Sequence, residues 1–214
     1  MNIKQHDVLK LTGLCGILST IVFFIFIALA VYFSPWFSWT ENWLSEMAGS
    51  TGDTPIWAAL GLPSVILNIG LVLSGLTGII FTFALRKSRM FESRWGRLAT
   101  IVLFFDMSAL CGVGIFPLTL GNLHVWNSWV LFALIPVFLI FVGYELGRLF
   151  RREWWWLTFV LLLFSFCSFI IFKFVEGKAV SEMVSLCSVF VIFFALGFKF
   201  LWLGFKESRL PSIQ

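Results

Sequence analysis

Apolar residues run along this chain in six long blocks, at residues 10–33, 58–85, 97–116, 126–147, 154–174 and 181–204. A helix rises ~1.5 Å per residue, so ~20 apolar residues cross the ~30 Å hydrocarbon core of a bilayer. Each block is long enough, and short polar connections separate them. The pattern predicts an all-α, polytopic transmembrane six-helix bundle, one integral membrane domain over residues 1–214 with no soluble domain. The first block follows Lys4 and Lys10 and ends near Ala28-Leu29-Ala30, which gives it the look of a secretory leader. Its apolar stretch outruns the ~7 to 15 residues of a leader's core, so it reads as the first membrane helix.

Composition supports the same class. The chain is 60% hydrophobic and 12% charged, where soluble domains carry ~25% charged residues. That excludes both a water-soluble domain and a disordered chain. A net charge of +4 would suit nucleic acid, but the basic residues sit between the apolar blocks, so no nucleic-acid partner is expected.

Charge also sets the orientation. With the N-terminus inside, Lys4, Lys10, Arg86, Lys87, Arg89, Arg94, Arg97, Arg148, Arg151, Arg152, Lys206 and Arg209 are cytoplasmic, twelve of the 15 basic residues. Lys178, with Lys173 near it, lies on the other side, whose longest loop carries Glu41, Glu46 and Asp53. The positive-inside rule then predicts a multi-pass protein of the cell membrane with both termini cytoplasmic. Tryptophan prefers the headgroup level, and all 11 tryptophans fall near a predicted boundary. Trp36, Trp39, Trp43, Trp57, Trp126 and Trp129 mark outer ends; Trp95, Trp154, Trp155, Trp156 and Trp202 mark inner ones.

The outer loop, residues 34–57, is the longest connection. Ser34-Pro35 reads as a helix start, Trp36, Trp43, Leu44 and Met47 share one helical face, and Gly49 reads as a stop. These predict a short interfacial helix on the outer surface. Thr54-Pro55 reads as the start of a second capped helix leading into the second span, where Pro63 predicts a kink. One reading makes the loop an aromatic plug; the other makes Asn42, Ser45 and Glu46 the rim of an outer-leaflet site.

Within the spans, Asp106 lies nine residues past Arg97, hence ~14 Å up the third helix. A carboxylate at that depth must be neutral or paired, and Lys199 on the sixth span is a candidate partner. Asn68 lies near the outer end of the second span, above Gly70, Ser74 and Gly78, a small-residue stripe that suits close contact with another helix. Gly75, on nearly the face of Asn68, leaves room for a lipid chain or for such a helix. His124 falls in a short loop at outer-headgroup level beside Trp126 and Asn127. One histidine cannot supply the ~3 protein ligands of a catalytic zinc, so no metal is expected. No Walker, dinucleotide or HExxH motif implies a cofactor. A relay of Ser45, His124 and either Glu46 or Glu182 stays open, as does a disulfide between Cys167 and Cys187. Ser181-Glu182-Met183 echoes Ser45-Glu46-Met47 too briefly to count as a repeat.

Three segments carry a family resemblance. Asn42-Trp43-Leu44-Ser45-Glu46-Met47-Ala48-Gly49, Leu67 to Gly75 in the second span, and Gly114-Ile115-Phe116-Pro117 with His124 resemble domain-of-unknown-function family 998. That family comprises prokaryotic, often archaeal, six-helix membrane proteins. The loop pattern is also similar to the DRAM, Frag and Sfk group, associated with lipid remodelling and membrane organisation. The resemblance implies a scaffold and no established reaction. The leading expectation is a membrane lipid as partner, bound or organised in an outer-leaflet cavity that Asn42, Ser45, Glu46, Asn68, His124 and Asn127 line, with Asp106 deeper. The alternatives are a hydrolase or transferase acting on a lipid or lipid-linked substrate through Glu46, Asp106 and His124, or a small transporter or complex subunit. Gly70, Ser74 and Gly78 would face a helix partner.

Overall fold

A computed structural model describes residues 4–49, 61–174 and 178–208 of the chain. Six helices follow in order: α1 (Gln5–Tyr32), α2 (Leu62–Lys87), α3 (Arg94–Ile115), α4 (Asn122–Leu149), α5 (Arg152–Phe174) and α6 (Ala179–Ser208). All six are long and apolar enough to cross a membrane, and no strand occurs among the described residues. This is a multi-pass membrane protein. Each helix packs on its neighbours in sequence, and α6 returns to α1, so the six close into a ring. α4 also meets α6 across the interior.

Lipid is as apolar as leucine, so burying apolar surface cannot draw such helices together. Small residues and hydroxyls do so here. Ser19 and Ser74 donate to each other's carbonyls at 2.8 and 2.6 Å, which joins α1 to α2. A Cβ on Gly13 would lie 2.6 Å from the Gly197 carbonyl oxygen and a Cβ on Gly143 2.6 Å from Thr158 Oγ1. These contacts close α1 on α6 and α4 on α5. Between them the interior fills with rings, including the stacked pair Phe23 and Phe190 at 4.0 Å.

The small-residue stripe of α2 faces helices of the same chain. Gly70 lies against Phe26 of α1, Ser74 bonds Ser19, and Gly78 lies against Met107 of α3 and Phe193 of α6. The space beside Gly75 is taken by Cys111. All four cysteines are free thiols, so Cys167 and Cys187 are unpaired.

Four local expectations change. Ser34-Pro35 starts no helix; residues 34–43 are turns and bends, and only Leu44–Ala48 forms a 3-10 turn, ending at Gly49 with φ +143°. Asn42 explains this, because its side-chain oxygen accepts the Ser38 amide at 2.8 Å and offers the backbone an alternative to a helix. Leu44, Met47 and Ala48 are buried, so the turn inserts into the end of the bundle. Pro63 falls in the first turn of α2, where its missing N–H breaks no helical bond, and it therefore starts the helix without kinking it. His124 belongs to the first turn of α4, preceded by a 3-10 turn at Leu118–Leu120 and by Gly121 at φ +57°. Asp53, Trp57, Arg209 and the Thr54-Pro55 start lie outside the described residues.

Candidate functional site

Two chain segments meet at the end of the bundle that carries residues 34–49. The first amides of α6, on Lys178 and Ala179, have no partner within the helix, and both donate to the Asn42 carbonyl, at 3.2 and 3.0 Å. In return Glu182, in the first turn of α6, accepts the Leu44 amide through Oε2 at 2.7 Å. Asn42 then donates through Nδ2 to Glu46 Oε2 at 2.6 Å. The loop is thus clasped to α6, and both Ser-Glu-Met triplets come to one place.

A cavity of about 420 Å³ opens beside this clasp. The loop supplies Trp43, Ser45 and Glu46 to it, and α4 supplies His124, Ser128, Trp129 and Phe132. The far wall is Ser168, Phe169 and Phe172 of α5, with Ser181 and Glu182 of α6. A smaller void of about 40 Å³ shares Ser45, His124, Ser128 and Glu182 and reaches inward to Leu67, Leu71 and Leu110. Polar groups from the loop, α4, α5 and α6 therefore share an aromatic chamber that has an apolar extension. That division suits a molecule with a polar head and an apolar tail.

His124 is 3% exposed, and its Nδ1 lies 2.8 Å from the Phe116 carbonyl. A carbonyl only accepts, so Nδ1 carries a proton and donates it to Phe116. Among the described residues no carboxylate is hydrogen-bonded to the ring, in contrast to a serine-hydrolase relay. The described residues hold no group of three or more candidate metal ligands.

Of the residues singled out in the sequence, Ser45, Glu46 and His124 line the cavity, and Asn42 is one bond away. The other three stand elsewhere. Asn68 donates to the Ala48 carbonyl at 3.2 Å and ties α2 to the 3-10 turn. Asn127 packs its amide on Gly112 of α3 and donates to the Leu123 carbonyl. Asp106 is fully buried with no hydrogen bond to either oxygen, away from the cavity. Lys199 does not reach it: its ammonium lies 5.1 Å from the Phe150 ring and 4.8 Å from that of Trp202. Ser128 and Ser168 escaped the sequence reading, since a serine in an apolar span looks like any small packing residue, and Ser181 was noted only in the short echo of Ser45-Glu46-Met47.

Asp106→Asn is expected to change stability by no more than about 1 kcal/mol, because the amide keeps the shape and loses no hydrogen bond. Thermal unfolding in detergent checks this; a loss above about 2 kcal/mol would reveal a partner for the carboxyl.

The model of a family described as "Protein of unknown function (DUF998)" matches residues 17–199. No curated protein and no solved structure matches the chain.

Proposed function

The chain belongs to the DUF998 family of proteins, and from that premise we propose that it binds or organises a membrane lipid in the cavity beside the clasp. The observation that carries this reading is the cavity's make-up: seven polar residues, Ser45, Glu46, His124, Ser128, Ser168, Ser181 and Glu182, against walls of tryptophan and phenylalanine. Its volume of about 420 Å³ accommodates a headgroup and the first part of a chain, within the ~300 to 1,000 Å³ range of ligand pockets. Asn42 and Glu182 hold the loop against α6, and so keep the rim in place.

Native mass spectrometry of gently purified protein is expected to show a retained lipid. Ser128→Trp fills the chamber from α4 and should release that lipid while the protein stays folded. Equal retention by the variant, or no lipid on either, would contradict the reading.

A second reading, an enzyme acting on a lipid, is favoured by one observation: Glu46, Glu182 and the His124 imidazole line a common space with four serines. The same spectra separate the two. A carrier returns an added lipid with its mass unchanged, and an enzyme returns a product whose formation depends on His124.

We place the cavity end outside and both termini in the cytoplasm of a cell membrane, because Arg86, Lys87, Arg94, Arg148 and Arg152 all lie at the other end of their helices. A fluorescent protein that folds only in the cytoplasm should light when fused to the C-terminus. A dark fusion of a folded protein would invert the topology.

A further inference from the structure

We propose that this cavity selects an amphiphile whose head is a cationic, ammonium-type group; the inference rests on the lipid-cavity reading and adds the sign of the head's charge. The polar lining is one-sided. Glu46 and Glu182 contribute two carboxyl groups, and no described lysine or arginine lines the cavity. Each glutamate commits Oε2 to the clasp, through Asn42 and Leu44, and both residues line the cavity. Both carboxyl groups belong to the lining of one space. A cationic head there is attracted to them, and an anionic head is repelled.

The rest of the lining favours the same ligand. Trp43, Trp129, Phe169 and Phe172 form the walls, and the negative face of an aromatic ring attracts organic cations, quaternary ammonium above all. One such contact already exists here: Lys178, whose ammonium also donates to the Phe172 carbonyl, lies 4.7 Å from the Phe172 ring centroid. A bare divalent metal would gain nothing from these rings, since it seeks ~6 oxygen ligands or more. The serine hydroxyls add acceptors, which a primary ammonium can also use.

The test uses the full-length protein in an uncharged detergent and three lipids with the same dioleoyl chains: a trimethylammonium lipid, phosphatidic acid and diacylglycerol. Native mass spectrometry measures each, counting only the binding that Ser128→Trp removes, so that anionic lipid held at the basic end is excluded. The trimethylammonium lipid is expected to bind about tenfold more tightly than diacylglycerol, with phosphatidic acid weakest. Glu46→Gln should bring the first two within about threefold. Phe169→Leu keeps the wall apolar, leaves both glutamates intact and should weaken only the trimethylammonium lipid, which keeps the test valid if Glu46→Gln misfolds.

Equal binding of all three lipids, or tightest binding of phosphatidic acid, overturns the charge selection while the lipid-cavity reading stands. Binding of none overturns that reading itself. Tetramethylammonium ion alone is expected to compete weakly. Competition as strong as that of the lipid would make the ligand a small free amine and overturn the amphiphile.

Discussion

Gly13→Val is expected to destabilise the folded protein by about 3 kcal/mol or more, at the upper end of the cost of overpacking a close contact. A Cβ at this position would stand 2.6 Å from the Gly197 carbonyl oxygen and 2.6 Å from the Leu201 amide nitrogen. Both are backbone atoms, so no side chain can swing aside. The valine must push α1 away from α6 and open the seam where the ring closes. Gly197 is open to the reverse test, because its own Cβ would meet the Gly13 carbonyl at 2.9 Å. Leu14→Val, one residue along at a side chain 55% exposed, should stay within about 0.5 kcal/mol. Thermal or denaturant unfolding in detergent distinguishes the pair, and equal effects would mean that the seam is not where the helices cross.

The second large effect concerns the opposite end of the bundle. Glu145 of α4 is fully buried and pairs with Arg148 at 2.5 Å, while Ser93 donates to the same carboxylate. Ser93 also accepts the Gly96 amide at 3.0 Å and so caps α3. The absence of a side chain at Gly96 lets the carboxyl group approach, since a Cβ there would lie 3.0 Å from Glu145 Cδ. One buried charge thereby ties the start of α3 to the end of α4. Arg148→Ala leaves that charge without its counter-ion and is expected to cost about 2 to 4 kcal/mol, discounted because the arginine is half exposed. Glu145→Gln keeps the shape and the Ser93 contact and should cost about 1 kcal/mol. Combined, the two changes should give a protein more stable than Arg148→Ala alone, since the second removes the stranded charge. Simple additivity would show that the pair is only a surface contact.

The spans could be read from the sequence because bilayer thickness imposes a length that no soluble helix must obey. The block at 97–116 and helix α3 at Arg94–Ile115 differ by only a few residues. The loop was harder to read. Trp36 to Met47 has the spacing of an amphipathic helix, yet Asn42 captures the Ser38 amide and Leu44 turns inward, and neither act has a signature in periodicity. Depth arithmetic put Asp106 in the middle of its span but could not say which way it points. It therefore grouped the residue with the polar groups of the loop end, from which the fold separates it. Glu182 was visible as an alternative relay carboxylate and in a short echo of Ser45-Glu46-Met47, but its part in the clasp depends on α6 starting where Asn42 can cap it. Ser168 had no signal at all, since its neighbours in the chain, Phe166, Cys167 and Phe169, are those of any membrane helix.

The most direct measurement is an experimental density map of the full-length protein in a native lipid bilayer. An elongated occupant should lie between Trp43, His124, Phe169 and Glu182, its head against the two glutamates and its tail along the aromatic walls. A chamber filled by its own side chains, or holding only water, would contradict the account.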